Sequence, residues 1–162
     1  PTWWGMTEVT WNGVVRVGGM LLSVAAAEVV RRRLDTSRHV TIVRALVSFT
    51  LLLTGALGVF ALGRSFGWML GALWLISLSR NVIGPLYTTW VNQRLDSSVR
   101  ATVISMSSQV DAIGQIAGGP AVGLIGSAVS VRAALAASAV LLTPVLGLLA
   151  RAERVKDDEL TI

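Results

Sequence analysis

Cysteine is missing altogether from the 162 residues, histidine occurs once, at His39, and only 14% of the chain is charged. The first absence excludes disulfides and thiol-ligated metal sites, and the second leaves little scope for a zinc site or a histidine-based triad. The third is at odds with a soluble surface, because soluble domains carry about 25% charged residues. A formal charge of +5 and a pI near 11.3 raise the question of nucleic acid. The basic residues, however, stand at the ends of apolar runs and form no stripe on a polar face, so no nucleic-acid partner is expected. Nor is a metal, a cofactor or an enzymatic activity. The sequence opens at Pro1 without a basic segment leading into a short apolar one, so no signal peptide is visible.

What the chain does have is apolar length. From Ala45 to Gly63, and again from Ala133 to Ala150, no side chain is charged. At a helical rise of about 1.5 Å, such runs cover roughly the 30 Å of a bilayer's hydrocarbon, which a soluble core helix seldom needs. Five spans are expected, at about 9–30, 41–62, 67–91, 98–124 and 131–150. An extracytoplasmic segment 1–8 precedes them and a cytoplasmic tail 151–162 follows. The predicted fold is an all-α, polytopic transmembrane helix bundle in contact with the lipid bilayer. The Gly63-Arg64-Ser65-Phe66 turn makes the second and third spans antiparallel neighbours, and Asp96, Ser97 and Ser98 supply N-cap chemistry for the fourth.

Arginine and lysine are retained on the cytoplasmic side during insertion, so their distribution among short gaps reports topology. Arg31, Arg32, Arg33 and Arg38 follow the first span, with Arg44 at the far edge of that gap; Arg94 and Arg100 follow the third; Arg151, Arg154 and Lys156 follow the fifth. The other gaps hold one arginine each, Arg64 and Arg132. Spans one, three and five are therefore expected to end in the cytoplasm, with the N-terminal end outside the cytoplasmic membrane and the C-terminus within the cell. Trp3, Trp4 and Trp11 suit the outer interface, where amphipathic rings accumulate. An odd number of spans with an outside start leads us to expect at least one preceding helix.

Ionisable groups deep in a span are costly and usually face a protein interior or a wet cavity. Arg80 stands eleven residues before Val91 and Asp111 eleven after Arg100, which puts each roughly 16 Å from the cytoplasmic end of its helix. Spans three and four can thus present opposite charges at one depth, either as a proton or substrate relay or as an ion pair that fixes helix register. Asn81, Gln109, Gln115 and Arg16 are further candidates for such a pathway, while Glu28 is close enough to Arg31 and Arg32 to snorkel toward the interface. His39 reads as a solvated loop residue. Gly114 with Gly118, and Gly119 with Gly123, form two Gly-x-x-x-Gly spacings that suit close helix packing, and Pro120 between them suits a kink or hinge. The uncharged second and fifth spans are expected at the lipid-facing periphery, around a cavity bordered by spans one, three and four.

The stretch Pro85-Leu86-Tyr87-Thr88-Thr89-Trp90-Val91-Asn92-Gln93-Arg94-Leu95-Asp96, continuing through Val99-Arg100-Ala101-Thr102-Val103-Ile104-Ser105 to Gly118-Gly119-Pro120, resembles the end of helix ten, the following loop and helix eleven of major facilitator superfamily transporters. Bacterial drug and multidrug efflux permeases are the nearest in character. The resemblance extends over about Trp11 to Ala150 and implies that the five spans are helices eight to twelve of a twelve-helix fold, truncated by the loss of its preceding helices. It implies a cytoplasmic C-terminus, peripheral helices nine and twelve, and a cavity against helices eight, ten and eleven, where Arg80 and Asp111 would fall. The basic loop from Glu28 to Arg38 takes the place of a degenerate family motif whose glycine and aspartate positions do not match here.

These features converge on the C-terminal portion of a secondary active transporter that moves a small-molecule substrate by alternating access, with proton-coupled efflux the expected mode. A non-catalytic membrane subunit that packs against partner helices is the alternative. A membrane-embedded enzyme would need clustered acids, or serine with histidine, at one depth, and only isolated Asp111 is present.

Overall fold

A computed structural model describes residues 7–34, 39–93 and 95–159, with side chains placed through residue 152 except at position 8. The chain is an all-α bundle of five helices: α1 Glu8–Arg33, α2 His39–Leu62, α3 Phe66–Asn92, α4 Ser97–Ala128 and α5 Val131–Glu159. Local chemistry explains where they begin. Thr7 caps α1 by accepting from the Thr10 amide at 3.3 Å, and Asp96 caps α4 by accepting from the Ser98 amide at 3.3 Å. At the end of α2, a methyl group on Gly63 would lie 2.8 Å from the Val59 carbonyl oxygen, so the turn into α3 needs glycine. The Arg132 guanidinium donates to the Gly63 carbonyl at 3.2 Å, placing a cation at a helix C-terminus.

Four of the helices, Val9–Arg33, His39–Leu62, Phe66–Asn92 and Val131–Ala152, are long and apolar enough to cross a membrane. The chain therefore has the build of a multi-pass membrane protein. The fourth expected span, α4, is not among these four: it has the length, but its serines, Gln109, Asp111 and Gln115 dilute its apolar content. Elsewhere hydroxyls are carried cheaply. Ser48, Thr54, Thr88, Thr89, Ser108 and Ser138 each donate to the carbonyl four residues earlier, which pairs these six donors within their own helices, whereas the buried hydroxyls of Ser23 and Ser79 have no partner.

The helices pack in the lateral order α1, α3, α2, α5, α4. The uncharged second span is thus central, with α3 on one side and α5 on the other, and not peripheral as its composition suggested. Ile42, Ala45, Leu46, Thr50, Leu53, Ala56, Leu57 and Ala61 are buried on it, while Leu51, Leu52, Gly55, Val59 and Leu62 form an exposed strip at helical spacing. A helix without charge can bury any face, whereas α1 and α4 must keep polar side chains accessible and so end up at the two edges. No side chain of α4 is buried. The core proper, Ile42, Ala45, Leu46, Val82 and Leu86 with Val30, Leu34, Leu78, Trp90 and Leu149 around it, gathers at the end of the bundle where α1, α3 and α5 finish.

His39 belongs to that end too. It is the first residue of α2, only 8% exposed, and its Nδ1 accepts a hydrogen bond from the Trp90 indole at 3.2 Å. The reading of a solvated loop residue is corrected accordingly: an imidazole whose ring nitrogen accepts from an indole donor can be buried.

Candidate functional site

Two clefts flank α3, and its helical repeat decides which side chain enters which. Leu73, Ile76 and Arg80 line the first; Leu73, Trp74, Ser77 and Asn81 line the second, so adjacent Arg80 and Asn81 serve opposite sides.

The first cleft, about 690 Å³, is walled by Leu53, Leu57 and Phe60 of α2, by the three α3 residues, by Gly114 of α4 and by Leu135, Ser138, Leu141 and Leu142 of α5. Its walls therefore come from α2, α3, α4 and α5, a correction to the expected cavity among spans one, three and four. Among the described residues Arg80 is the one charged side chain lining it. It makes no ion pair or hydrogen bond with a described residue, so the anticipated bridge to Asp111 does not form. Asp111 instead accepts from the Gln115 side-chain amide one helical turn on, at 2.8 Å, and both are exposed on α4, as is Gln109. Gly114 connects the two halves of this arrangement, because it lines the cleft and lies three residues from Asp111 on the same helix face.

The second cleft, about 440 Å³, runs between α1 and α3 and is lined by Asn12, Val15, Arg16, Gly19, Met20 and Ser23 of α1 and Leu73, Trp74, Ser77 and Asn81 of α3. Two predicted pathway residues, Arg16 and Asn81, meet here. Close packing holds the cleft in shape: the Trp74 indole donates to the Val15 carbonyl at 3.1 Å, and Gly18 and Gly19 leave room for the nitrogen-bearing edge of its ring, where a methyl group would come within 3.2 Å and 3.3 Å of it. The glycines that sequence spacing singled out behave otherwise. A methyl group on Gly114, Gly118, Gly119 or Gly123 would meet nothing within 4 Å, so these positions pack against no other helix of the chain. Helix α4 continues through Pro120 to Ala128.

The remaining expectations divide by position. Glu28 pairs with Arg31 at 2.8 Å and with Arg32 at 2.6 Å at the end of α1, as its snorkelling placement anticipated. Arg33 completes that basic turn, and Arg100 is exposed in the first turn of α4. Arg38, Arg94, Trp3 and Trp4 lie outside the described residues. Trp74, Ser23, Ser77 and Ser138 were not anticipated as lining residues, since a lone serine or tryptophan in an apolar run carries no positional signal until the packing partner is known.

No family model matches the chain, and neither does any curated protein or solved structure. Function has to be argued from the clefts themselves.

Proposed function

We propose that the chain forms the C-terminal portion of a secondary active transporter of the major facilitator type, moving a small molecule outward against protons through the cleft that contains Arg80. The observation that carries this reading is an arginine set in an otherwise greasy, four-helix-walled cleft, with a carboxylate one turn away from its α4 wall. Intramembrane charges facing a cavity mark ion and substrate pathways. The position of the cleft supports the same view. In the orientation assigned from the arginines, the lining residues fall in the outer half of α2, α3 and α5, while the apolar core closes the cytoplasmic end. A site open to one side and sealed on the other is what alternating access requires of each of its states. In this reading α4 also crosses the membrane, folded back on α5 through Val129 and Ser130 with Gly126 packed near Ala134. The preceding helices of the same transporter then cover its exposed polar face and complete the substrate pathway.

The orientation is expected to emerge from single-cysteine labelling, which the cysteine-free sequence makes clean. A cysteine at Ser37 should be protected from an impermeant maleimide outside intact cells and one at Ser127 should react; the reverse pattern would overturn the topology. The pathway itself is tested at Ser138, which lines the cleft, against Leu51 on the exposed apolar strip of α2. A charged methanethiosulfonate added outside should modify Ser138→Cys and leave Leu51→Cys untouched. If both are inert, the cleft is a dry packing gap and the transport reading falls.

That no side chain of α4 is fully buried favours one second reading, an integral membrane subunit whose glycine-lined helix packs on partner helices. The Ser138 experiment separates the two, since a packing subunit needs no water in that cleft.

A further inference from the structure

We propose that the cleft between α1 and α3 is a binding site for a small soluble organic anion with an apolar body and a second hydrogen-bonding group, of the hydroxyaryl carboxylate class. This site is separate from the Arg80 cleft, and the proposal holds whether or not the chain moves solute. Among the described residues Arg16 is the one charged side chain lining the cleft, and it makes no ion pair or hydrogen bond with any of them. Among the described side chains, Glu28 is taken by Arg31 and Arg32, and Asp111 sits on α4, which packs chiefly on α5. A guanidinium at this depth without a counter-charge is costly, and its planar fork suits a carboxylate.

The remaining lining residues specify the rest of the ligand. The Trp74 ring is fixed as an apolar wall because its indole N–H is spent on the Val15 carbonyl. Seven residues further along α3, about 10 Å by helical rise, Asn81 lines the other end of the cleft together with Ser77. Facing them from α1 is Ser23, 4% exposed, whose buried hydroxyl has no hydrogen-bond partner. An anion-binding end, an aromatic wall and an amide and hydroxyl end therefore follow one another along a cleft of about 440 Å³, large enough for a single aromatic acid.

The test is equilibrium dialysis of radiolabelled 4-hydroxybenzoate against the full chain in phosphatidylcholine nanodiscs. Binding should be saturable, competed by benzoate, and indifferent to 4-hydroxybenzyl alcohol and tyramine, which keep the ring and lose the negative charge. Arg16→Gln should weaken it about 10- to 100-fold, the usual worth of a charge-assisted pair. Arg16→Lys should restore part of the loss, and Arg64→Gln, in the α2–α3 turn, should change nothing. No saturable binding, equal competition by the neutral alcohol, or an unaltered Arg16→Gln variant would each overturn the proposal. A site for lipid headgroups is the other source of the same chemistry. In that case phosphatidylglycerol added to the nanodiscs would displace 4-hydroxybenzoate in proportion to its content, and that outcome also overturns the assignment to a soluble anion.

Discussion

Asp111→Asn in the intact protein is expected, on the proposed transport function, to lower proton-coupled efflux by about 100-fold or more, the scale on which positioned proton-transfer groups act, while expression and membrane insertion stay near those of the parent. The substitution keeps the size of the side chain and its capacity to accept from the Gln115 amide, a bond of 2.8 Å in the structure. What it removes is the ability to gain and release a proton. Because Asp111 is exposed and forms no bridge to Arg80, the neutral amide breaks no ion pair and leaves no buried charge behind. A register-fixing role would predict the opposite pattern, with loss of assembled protein and activity falling only in step with it. Asp111→Glu, which retains the proton but extends the side chain, should keep part of the coupling. Efflux at the parental level in Asp111→Asn would take Asp111 out of the coupling role and leave Arg80 as the remaining charged group of that cleft.

The helical class, the element order and the boundaries were legible because they rest on local chemistry: charge-free runs, the Asp96 cap and the Gly63 turn act within a few residues. Which helix sits in the middle was not legible from charge alone. The run from Ala45 to Gly63 signals a membrane environment, but an apolar side chain is equally at home against lipid and against Val82 or Leu86. The same ambiguity hid the packing glycines. Gly114, Gly118, Gly119 and Gly123 have the spacing for close approach yet face nothing, whereas adjacent Gly18 and Gly19 have no such spacing and lie against a tryptophan. His39 was misplaced for a related reason, since its ring accepts an indole N–H that comes from fifty-one residues away. Counting residues along their helices puts Arg80 and Asp111 at one expected depth. Depth says nothing of azimuth, and the lateral order of the helices keeps α3 and α4 apart.

That lateral order makes one side chain decisive for the edge helix. α1 packs chiefly on α3, and Trp74 supplies both the hydrogen bond to the Val15 carbonyl and the ring edge against Gly18 and Gly19. Removing a large aromatic from such a contact costs about 3–5 kcal/mol, and Trp74→Ala is expected to release α1 from the bundle. The reporter is Ser23→Cys. At 4% exposure it should resist a small maleimide in the parent and react readily once Trp74 is alanine. Trp74→Phe keeps most of the ring and loses only the indole donor, worth about 1 kcal/mol, so labelling there should stay slow. Gly18→Val attacks the same contact from the other side, bringing a side chain against a ring already 3.2 Å from where its Cβ would stand, and should expose Ser23→Cys as Trp74→Ala does. If Ser23→Cys stays protected in both, α1 is held by its partly buried residues at the core end, Ala26, Val30 and Leu34, and Trp74 shapes the cleft without anchoring the helix.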